Sequence, residues 1–360
     1  MRAAPALLVI AAVSCGRLDF EREDRSRPAH VSPGTSYGSG VLVIDTSVVV
    51  DTDSTVFPIA LPTGATYSFS EQAGGPELAV LAVGDLVIVG GVTVRAIGTR
   101  PFVIVAGGDV TVSGVIDAGA RRDVPGAGGA QPNAGPGAGA NGTRINSGDS
   151  GGGGAGFATE GARGGNSTEP VVGAAPGPRY GTPDLQILIA GSGGGVGQEA
   201  SNCVRVPPGA GGGAIQISAI GAIEISGGIN VGGGGGGRAD SCGGNSGAGG
   251  GGGSGGAIYL EAETIENFGV LAASGGSGGS GGDDSVPGTS GVDGALDMQS
   301  APGAPRTMSK GSPGGNGGAR DVLPTQGAIS RTTVVVAAAR SDGSCWSRPS
   351  WPPEPRAPRP

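Results

Sequence analysis

Glycine is the residue that most restricts how this chain can fold, because it makes up 80 of the 360 residues. That share is about three times the average for globular proteins. Glycine loses more backbone entropy on folding than any other residue and has no side chain to bury. Aromatic residues, which bury the most apolar area each, are only 3% of the chain. The long glycine tracts are therefore expected to depend on a smaller, well-packed scaffold.

A phrase of three short strands, which occurs three times, predicts this scaffold. The copies read PFVIVAGGDVTVSGVIDAGA from Pro101, AIQISAIGAIEISGGINVGG from Ala214 and AIYLEAETIENFGVLAASGG from Ala257. Aligning them places Val110 opposite Ile223 and Val112 opposite Ile225. Side chains alternate within each strand, and the turns contain Gly, Asn or Asp. Stacked copies of this size predict an all-β fold, a right-handed parallel β-helix (solenoid) with long glycine-rich loop insertions.

Glycine-rich excursions separate the copies and are expected to be loops. Their bounds are 119–183, 191–213, 232–256 and 275–318. Further strand-like apolar runs lie at 41–44, 47–50, 56–60, 78–82, 86–89, 92–96 and 185–190. If the excursions leave from one corner of the solenoid, they form a single face where function would lie. The alternative is low-complexity filler without order.

Residues 1–15 are typical of an export signal. Arg2 precedes an apolar run over 6–13 that is too short to span a bilayer, and small residues Ala12 and Ser14 come before Cys15. The pattern resembles the lipobox at which bacteria cleave a signal peptide and acylate the cysteine. Cys15 is therefore the predicted lipidation site and membrane anchor. An ordinary signal peptide with a chance cysteine is the alternative.

Composition divides the rest of the chain into three parts. Residues 16–39 are polar and charged, which predicts a tether. Residues 40–340 contain the strand-like runs and form the predicted β-helix-like domain. Residues 341–360 are rich in Pro and Arg and predict a disordered tail.

The formal charge of −8 weighs against nucleic acid as a partner. Loss of Arg2 with a signal peptide would make the charge −9, because residues 1–15 contain no acidic side chain. A protein that binds the phosphate backbone is expected to carry a basic surface.

Three cysteines remain after Cys15. Cys203 and Cys242 flank the same strand set and are expected to pair in an oxidising compartment. Such a disulfide would stabilise the fold by about 3 kcal/mol. Cys345, in the tail, is left over, and no CxxC spacing indicates a zinc site.

Motifs of known chemistry are incomplete in this chain. GGSGG at 252–256 and at 275–279 matches the GxSxG elbow of hydrolases, but the single histidine, His30, lies in the predicted tether. AGSGGGVG at 190–197 lacks the third glycine of a dinucleotide loop. GGSGGDDSV at 278–286 departs from the calcium-binding nonapeptide at an aliphatic position. The sequence predicts no catalytic site, no metal and no cofactor.

Two groups of charged residues leave alternatives open. The carboxylates of Asp45, Asp51 and Asp53 favour turns at strand ends over a cation site. Polysaccharide lyases on β-helices need a basic residue to abstract a proton, and four arginines lie near one predicted rung: Arg95, Arg100, Arg121 and Arg122. No paired acidic cluster accompanies them, so a carbohydrate-active enzyme is the less favoured alternative.

Several phrases resemble a family of glycine-rich, mostly uncharacterised exported proteins and lipoproteins of myxobacteria and their relatives. They are VIDTSVVVDTDS from Val43, GTRPFVIVAGGDVTVSGVIDAGA from Gly98, AGSGGG from Ala190 and two GGAI phrases. The likeness covers 40–318 and implies an envelope-associated protein without known catalysis. The tail departs from it, since it does not look like a packed C-terminal cap.

Together these observations predict a non-catalytic lipoprotein of the cell envelope, exported to the outer membrane or cell surface. Its glycine-rich loops would mediate adhesion, matrix contact or envelope structure. The expected partners are the membrane, through Cys15, and a polysaccharide or another surface protein. The alternatives are a carbohydrate-binding or lyase-like protein and a purely structural spacer.

Overall fold

A computed structural model describes most of the chain. The described residues are 27–145, 148–166, 171–199, 203–242, 245–283, 286–306, 312–319 and 322–326. Within these ranges the chain contains β-strands and no α-helix or 3₁₀-helix. No helix in the described ranges could therefore serve as a membrane span.

Nineteen strands occur in the described ranges. In chain order they are β1 (Val41–Ile44), β2 (Val48–Asp51), β3 (Thr66–Ser70), β4 (Leu78–Val83), β5 (Asp85–Ile88), β6 (Thr93–Ile97), β7 (Phe102–Ala106), β8 (Val110–Val112), β9 (Val115–Asp117), β10 (Arg144–Ile145), β11 (Gly148–Asp149), β12 (Ala214–Ala219), β13 (Ala222–Ile225), β14 (Gly228–Asn230), β15 (Ser241–Cys242), β16 (Asn245–Ser246), β17 (Ala257–Glu261), β18 (Thr264–Asn267) and β19 (Val270–Ala272). Val and Ile dominate the longer strands, which suits a pleated, buried surface.

The strands form three five-stranded sheets and two short ribbons. Sheet A has the order β1-β5-β8-β13-β18, sheet B the order β2-β6-β9-β14-β19, and sheet C the order β3-β4-β7-β12-β17. Neighbouring strands are parallel except β3 and β4. The ribbons, β10 with β11 and β15 with β16, are antiparallel.

The three copies of the recurring phrase stack in register. Ile223 lies opposite Val110 and Ile265, as the alignment of the first two copies predicted. In sheet C, Ile217 lies opposite Ile104 and Leu260. In this register aliphatic side chains lie opposite one another on neighbouring strands. They therefore form a continuous apolar stripe across the sheet.

The predicted single right-handed parallel β-helix with glycine-rich loop insertions is wrong. The strands are divided among three separate five-stranded sheets, and sheet C contains an antiparallel pair. That pair follows from the short link over 71–77, because a parallel crossover needs a dozen or more residues. The apolar runs at 56–60 and 185–190 form no strand. Alternation along a strand shows which side chains are buried but does not assign the strand to a sheet.

The main hydrophobic core consists of the inward-facing side chains of all three sheets. Its members include Leu42, Ile44, Leu86, Ile88, Val110, Val112, Ile223 and Ile225 from sheet A, Val50, Val94, Ile116 and Ile229 from sheet B, and Leu81, Ile104, Ile215, Ile217, Ile258 and Leu260 from sheet C. Alternation in β1, where Leu42 and Ile44 are buried and Val41 and Val43 exposed, shows that sheet A has one face toward this core.

Sheet C differs from sheet A because it is buried on both faces. Every residue of β4, β7 and β12 is buried. Val80, Val103 and Val105 on its outer face form a second core with Phe157, Leu185 and Leu188. The outer face of sheet C therefore supports the glycine-rich segments.

Residues 27–39, which the sequence assigned to a polar tether, lie against sheet C. The His30 ring contacts the edge of Tyr259, and its Nδ1 lies 2.8 Å from Oε1 of Gln216 in β12. Gln216 donates a hydrogen bond to the Ala29 carbonyl, and the Ala29 amide donates one to Glu261. This part of the segment is attached to the folded domain.

The glycine-rich segments form an ordered body rather than loops. This glycine-rich body comprises the described residues of 126–213, 231–256, 273–294 and 301–318. Most of its glycines are buried, including all of those at 232–237 and 249–256. The alternative of filler without order is therefore also wrong for these residues.

Backbone hydrogen bonds between segments of the body recur every third residue. Amides of Gly275, Gly278 and Gly281 donate to carbonyls of Gly318, Gly315 and Ser312 at 2.9–3.1 Å, and those of Gly250, Gly253 and Gly256 donate to Gly237, Gly234 and Val231 at 2.8 Å. A β-strand would alternate with a period of two. A period of three is that of the polyproline II helix, which has no internal hydrogen bonds. The body is thus a bundle of extended helices that hydrogen-bond to one another.

Glycine is required in this bundle because the backbones are in close approach. A Cβ atom on Gly209, Gly253 or Gly279 would overlap a backbone carbonyl oxygen of Gly234, Ala210 or Gly237, respectively. The backbone at these positions is not in the left-handed region, so the restriction is space and not φ. Collagen requires glycine at its axis for the same reason.

Replacing Gly253 with alanine should lower the free energy of unfolding by about 2 kcal/mol, because the new methyl group overlaps a fixed carbonyl. Gly165 provides a matched control, since a Cβ there meets nothing within 4 Å. Gly165→Ala should leave stability unchanged or raise it by about 0.5 kcal/mol. Urea denaturation of both variants measures the difference. Equal effects of the two substitutions would contradict the packed bundle.

Candidate functional site

A shallow, open pocket of about 580 Å³ lies on the surface of the glycine-rich body. We call it the arginine pocket. Its lining residues are Arg122, Arg238, Gly288, Thr289, Ser290, Gly291, Val292 and Asp293. Three separate parts of the chain meet here: the turn after β9, the segment after β14 and the segment at 288–293.

The turn after β9 fixes Arg122 at one wall of the pocket. Arg121 and Val124 pair through two backbone hydrogen bonds of 2.8 and 3.0 Å, and Arg122 lies inside this tight turn with φ 55°. The Arg122 amide donates to Oδ1 of Asp293 at 2.9 Å, and its carbonyl accepts from the Ala210 amide at 2.8 Å. A non-glycine residue in the left-handed region is held there only by such surroundings.

The floor of the pocket rests on the body through bonds of the same three-residue period. Amides of Gly288, Gly291 and Gly294 donate to carbonyls of Ala239, Gly236 and Gly233 at 2.8–2.9 Å. From beneath, the hydroxyl oxygens of Ser277 and Ser280 accept hydrogen bonds from the amides of Val292 and Thr289. Arg238, next to the bonded Ala239, therefore projects from a fixed backbone.

In the described ranges, some arginines near the pocket form ion pairs and others do not. Asp117 pairs with Arg95 at 2.8 Å and with Arg121 at 3.3 Å. Burial lowers the pKa of Arg95, and Asp117 opposes this shift. Within the described ranges, Arg122 and Arg238 have no carboxylate within ion-pair distance. The Arg122 guanidinium donates instead to the Ser290 hydroxyl.

The four arginines considered for lyase chemistry do not form one group. Arg100 lies apart, where it pairs with Asp53 at 2.8 Å and with Glu77 at 2.5 Å and stacks over the Phe69 ring. Arg95 and Arg121 share Asp117, which leaves only Arg122 at the pocket. Arg238, which also lines the pocket, was missed because it follows a run of six glycines and no pattern in the sequence distinguishes it.

The carboxylates weighed as turn or cation residues all accept hydrogen bonds, which are local for Asp45 and Asp51 and reach a distant part of the chain for Asp53. Asp51 ends β2 and accepts from the Asp53 amide at 2.9 Å. Asp53 accepts from the Thr99 amide at 3.1 Å, and Asp45 accepts from the Thr46 hydroxyl at 3.2 Å. The contact of Asp51 with the amide two residues on is of the turn type, whereas Asp53 links its loop to Thr99 and Arg100. In the described ranges no group of three His, Cys, Asp or Glu side chains is placed to hold a metal ion.

Both serines of the hydrolase-like GGSGG motifs are buried and bonded to backbone. Ser254 Oγ accepts from the Ser192 amide at 2.8 Å, and Ser277 Oγ accepts from the Val292 amide at 2.6 Å. His30 lies elsewhere, against Gln216. The serines in these motifs, and Ser192 in the dinucleotide-like phrase, join neighbouring segments of the glycine-rich body.

Two of the four cysteines lie within the described residues. Cys203 and Cys242 form a disulfide with a Cα to Cα distance of 5.5 Å. It links the segment that precedes β12 to the segment that follows β14. Cys15, the predicted lipidation site, and Cys345 lie outside the described residues, as do Trp346 and Trp351 in the tail.

Glu199 is a buried carboxyl near the disulfide that the sequence did not single out. Its side chain accepts from the Asp240 amide at 3.2 Å, while Oε2 has no hydrogen-bond partner in the described part of the chain. Burial raises the pKa of Glu199 to about 7, the charges of Asp240 and Asp149 add to the rise, and Arg205 opposes it. Only the tertiary structure buries this side chain.

Comparison with protein-family models, with curated proteins and with solved structures finds no match for this chain. The resemblance to glycine-rich exported proteins of myxobacteria therefore stays a prediction.

The raised pKa of Glu199 predicts a pH-dependent stability. The folded state holds this proton more tightly than the unfolded state, whose pKa is near 4.5. The resulting stabilisation is complete below pH 4.5 and is lost as the pH rises through about 7. The free energy of unfolding of the wild type should fall, relative to Glu199→Gln, by up to about 1.4 kcal/mol per pH unit in this window.

Urea denaturation at several pH values tests this difference. Glu266→Gln, on the exposed strand β18, serves as the matched control and should retain the wild-type pH profile. A Glu199→Gln variant with an unchanged profile would show that Glu199 is ionised in the folded state at neutral pH.

Proposed function

We propose that this chain is a non-catalytic, lipid-anchored protein of the bacterial cell surface. Its glycine-rich body would provide a rigid platform for adhesion or for contact with an extracellular matrix. The membrane is its proposed partner on one side, through Cys15, and a polysaccharide or another surface protein on the other.

The packed glycine-rich body is the observation that carries this proposal. Extended helices bonded every third residue have few side chains, so they form a stiff surface with little chemistry of its own. The residues with hydrolase-like spacing, Ser254 and Ser277, bind backbone amides inside this body. Such an architecture suits a load-bearing or contacting role better than catalysis.

The cysteines support export as part of the proposal. Disulfides persist mainly in oxidising compartments outside the cytosol, and Cys203 and Cys242 form one. The apolar run before Cys15 is typical of a signal peptide, and acylation of Cys15 would attach the domain to a membrane.

Substitution of the anchor should release the protein from the membrane. In cells that express Cys15→Ala, we expect the protein in the soluble fraction or retained as a precursor, because no acyl chain can be attached. The wild type should sediment with membranes and be removed from intact cells by external protease. Fractionation and surface labelling measure both properties.

Cys345→Ala is the matched control, since it also removes a cysteine outside the disulfide but leaves the lipobox intact. It should remain anchored and accessible. If the wild type and both variants are soluble, or all are protected from protease, the surface-anchor proposal is wrong.

A further inference from the structure

We infer that the arginine pocket binds the acidic groups of a polysaccharide, a carboxylate or a sulfate on a sugar ring. This inference deepens the proposed function, because it names the ligand of the surface platform. It rests on three features of the pocket: its unpaired arginines, its fixed backbone and its mixed lining.

The two arginines of the pocket differ from their neighbours in having no ion pair within the described ranges. Acidic residues outnumber basic ones, and the neighbouring Arg95 and Arg121 are both neutralised by Asp117. Arg122 and Arg238 line one pocket and have no ion pair in the described ranges. The Asp293 carboxylate also lines this pocket, and its Oδ1 accepts hydrogen bonds from the backbone amides of Arg122 and Gly235. Two arginines that line the same pocket can bind one anionic group, to which each guanidinium donates in a planar, forked geometry.

The backbone of the pocket is fixed before any ligand binds. Arg122 has φ 55°, an unfavourable conformation for arginine, and Asp293 and Ala210 hold it there. Asp293 also accepts a hydrogen bond from the Gly235 amide at 2.7 Å, so it links the turn that contains Arg122 to the glycine-rich body. Residues held in sparsely populated backbone regions cluster at binding sites. A fixed site loses less entropy when a ligand binds.

The remaining lining favours a sugar over a simple anion or a nucleic acid. Hydroxyl groups of Thr289 and Ser290 can exchange hydrogen bonds with sugar hydroxyls, and Val292, 47% exposed, offers an apolar contact for ring C–H groups. The lining contains no aromatic side chain, which nucleotide bases need for stacking.

Binding of fluorescent oligosaccharides tests the inference directly. The full-length protein is purified from whichever cell fraction contains it, so the result does not depend on anchoring. The probes are oligogalacturonate, which carries carboxylates, and sulfated dextran oligomers, with uncharged dextran oligomers as the neutral control. Fluorescence anisotropy should show saturable binding of at least one acidic probe, weakened by salt, and no binding of the neutral one. The acidic probe with the lower Kd identifies carboxylate or sulfate as the natural group.

Variants locate the binding site. Arg238→Gln and Arg122→Gln should each raise the Kd of the acidic probe at least tenfold, because each removes charge-assisted hydrogen bonds to the ligand. The double variant should lose less than the product of the single effects if both arginines bind the same acidic group. Arg179→Gln removes the same charge from an exposed position outside the pocket and should change the Kd less than twofold.

Several outcomes would overturn the inference. These are no binding of either acidic probe, equal binding of the neutral probe, or an equal loss in the Arg179→Gln and Arg238→Gln variants. Tighter, salt-sensitive binding of single-stranded DNA with the same variant pattern would assign the pocket to nucleic acid instead. Binding is measured with the protein in solution, so a failed binding experiment overturns only the inference about the pocket. A failed anchor experiment overturns only the proposal of a surface anchor.

Discussion

The hydrogen bonds between neighbouring glycine-rich segments are the interaction on which the rest of this structure depends. They recur every third residue, as along Gly250, Gly253 and Gly256, and join segments that are far apart in sequence. Such bonds can form only where no Cβ separates the backbones. Glycine increases the conformational entropy that the chain loses on folding. In this body it also allows the buried amides and carbonyls of neighbouring segments to form hydrogen bonds.

The three sheets and the glycine-rich body depend on each other. Sheet C separates the aliphatic core between the sheets from the second core, in which Val103 and Val105 meet Phe157 and Leu188. Removal of the body would expose the outer face of sheet C. Removal of the sheets would leave the extended helices without apolar side chains to anchor them. The apolar contacts therefore hold the extended helices in place, and the hydrogen bonds fix the distance between them.

The arginine pocket, the proposed ligand site, is built on the backbone of this body. Its backbone is held by the same three-residue hydrogen bonds as the rest of the bundle, so only a few side chains need to differ. Arg122 enters from the turn after β9 and Arg238 from a glycine tract, and both project from rigid positions. Glu199 differs from the pocket arginines because it is buried beside Asp240, and burial favours the protonated form of its carboxyl.

The sequence by itself determined the strand phrase and its register: Ile223 lies opposite Val110 because the aliphatic pattern repeats. It also indicated Cys203 and Cys242 as neighbours, which the disulfide joins. The tertiary structure alone decided that the strands divide among three sheets and that the glycine tracts pack as extended helices. The physical reason is that glycine has no side chain, so a tract such as 249–256 contains no local pattern to show which backbones will bond to it. The placement of Arg122 and Arg238 at one pocket and the burial of Glu199 depend on that packing, and the sequence does not indicate either of them.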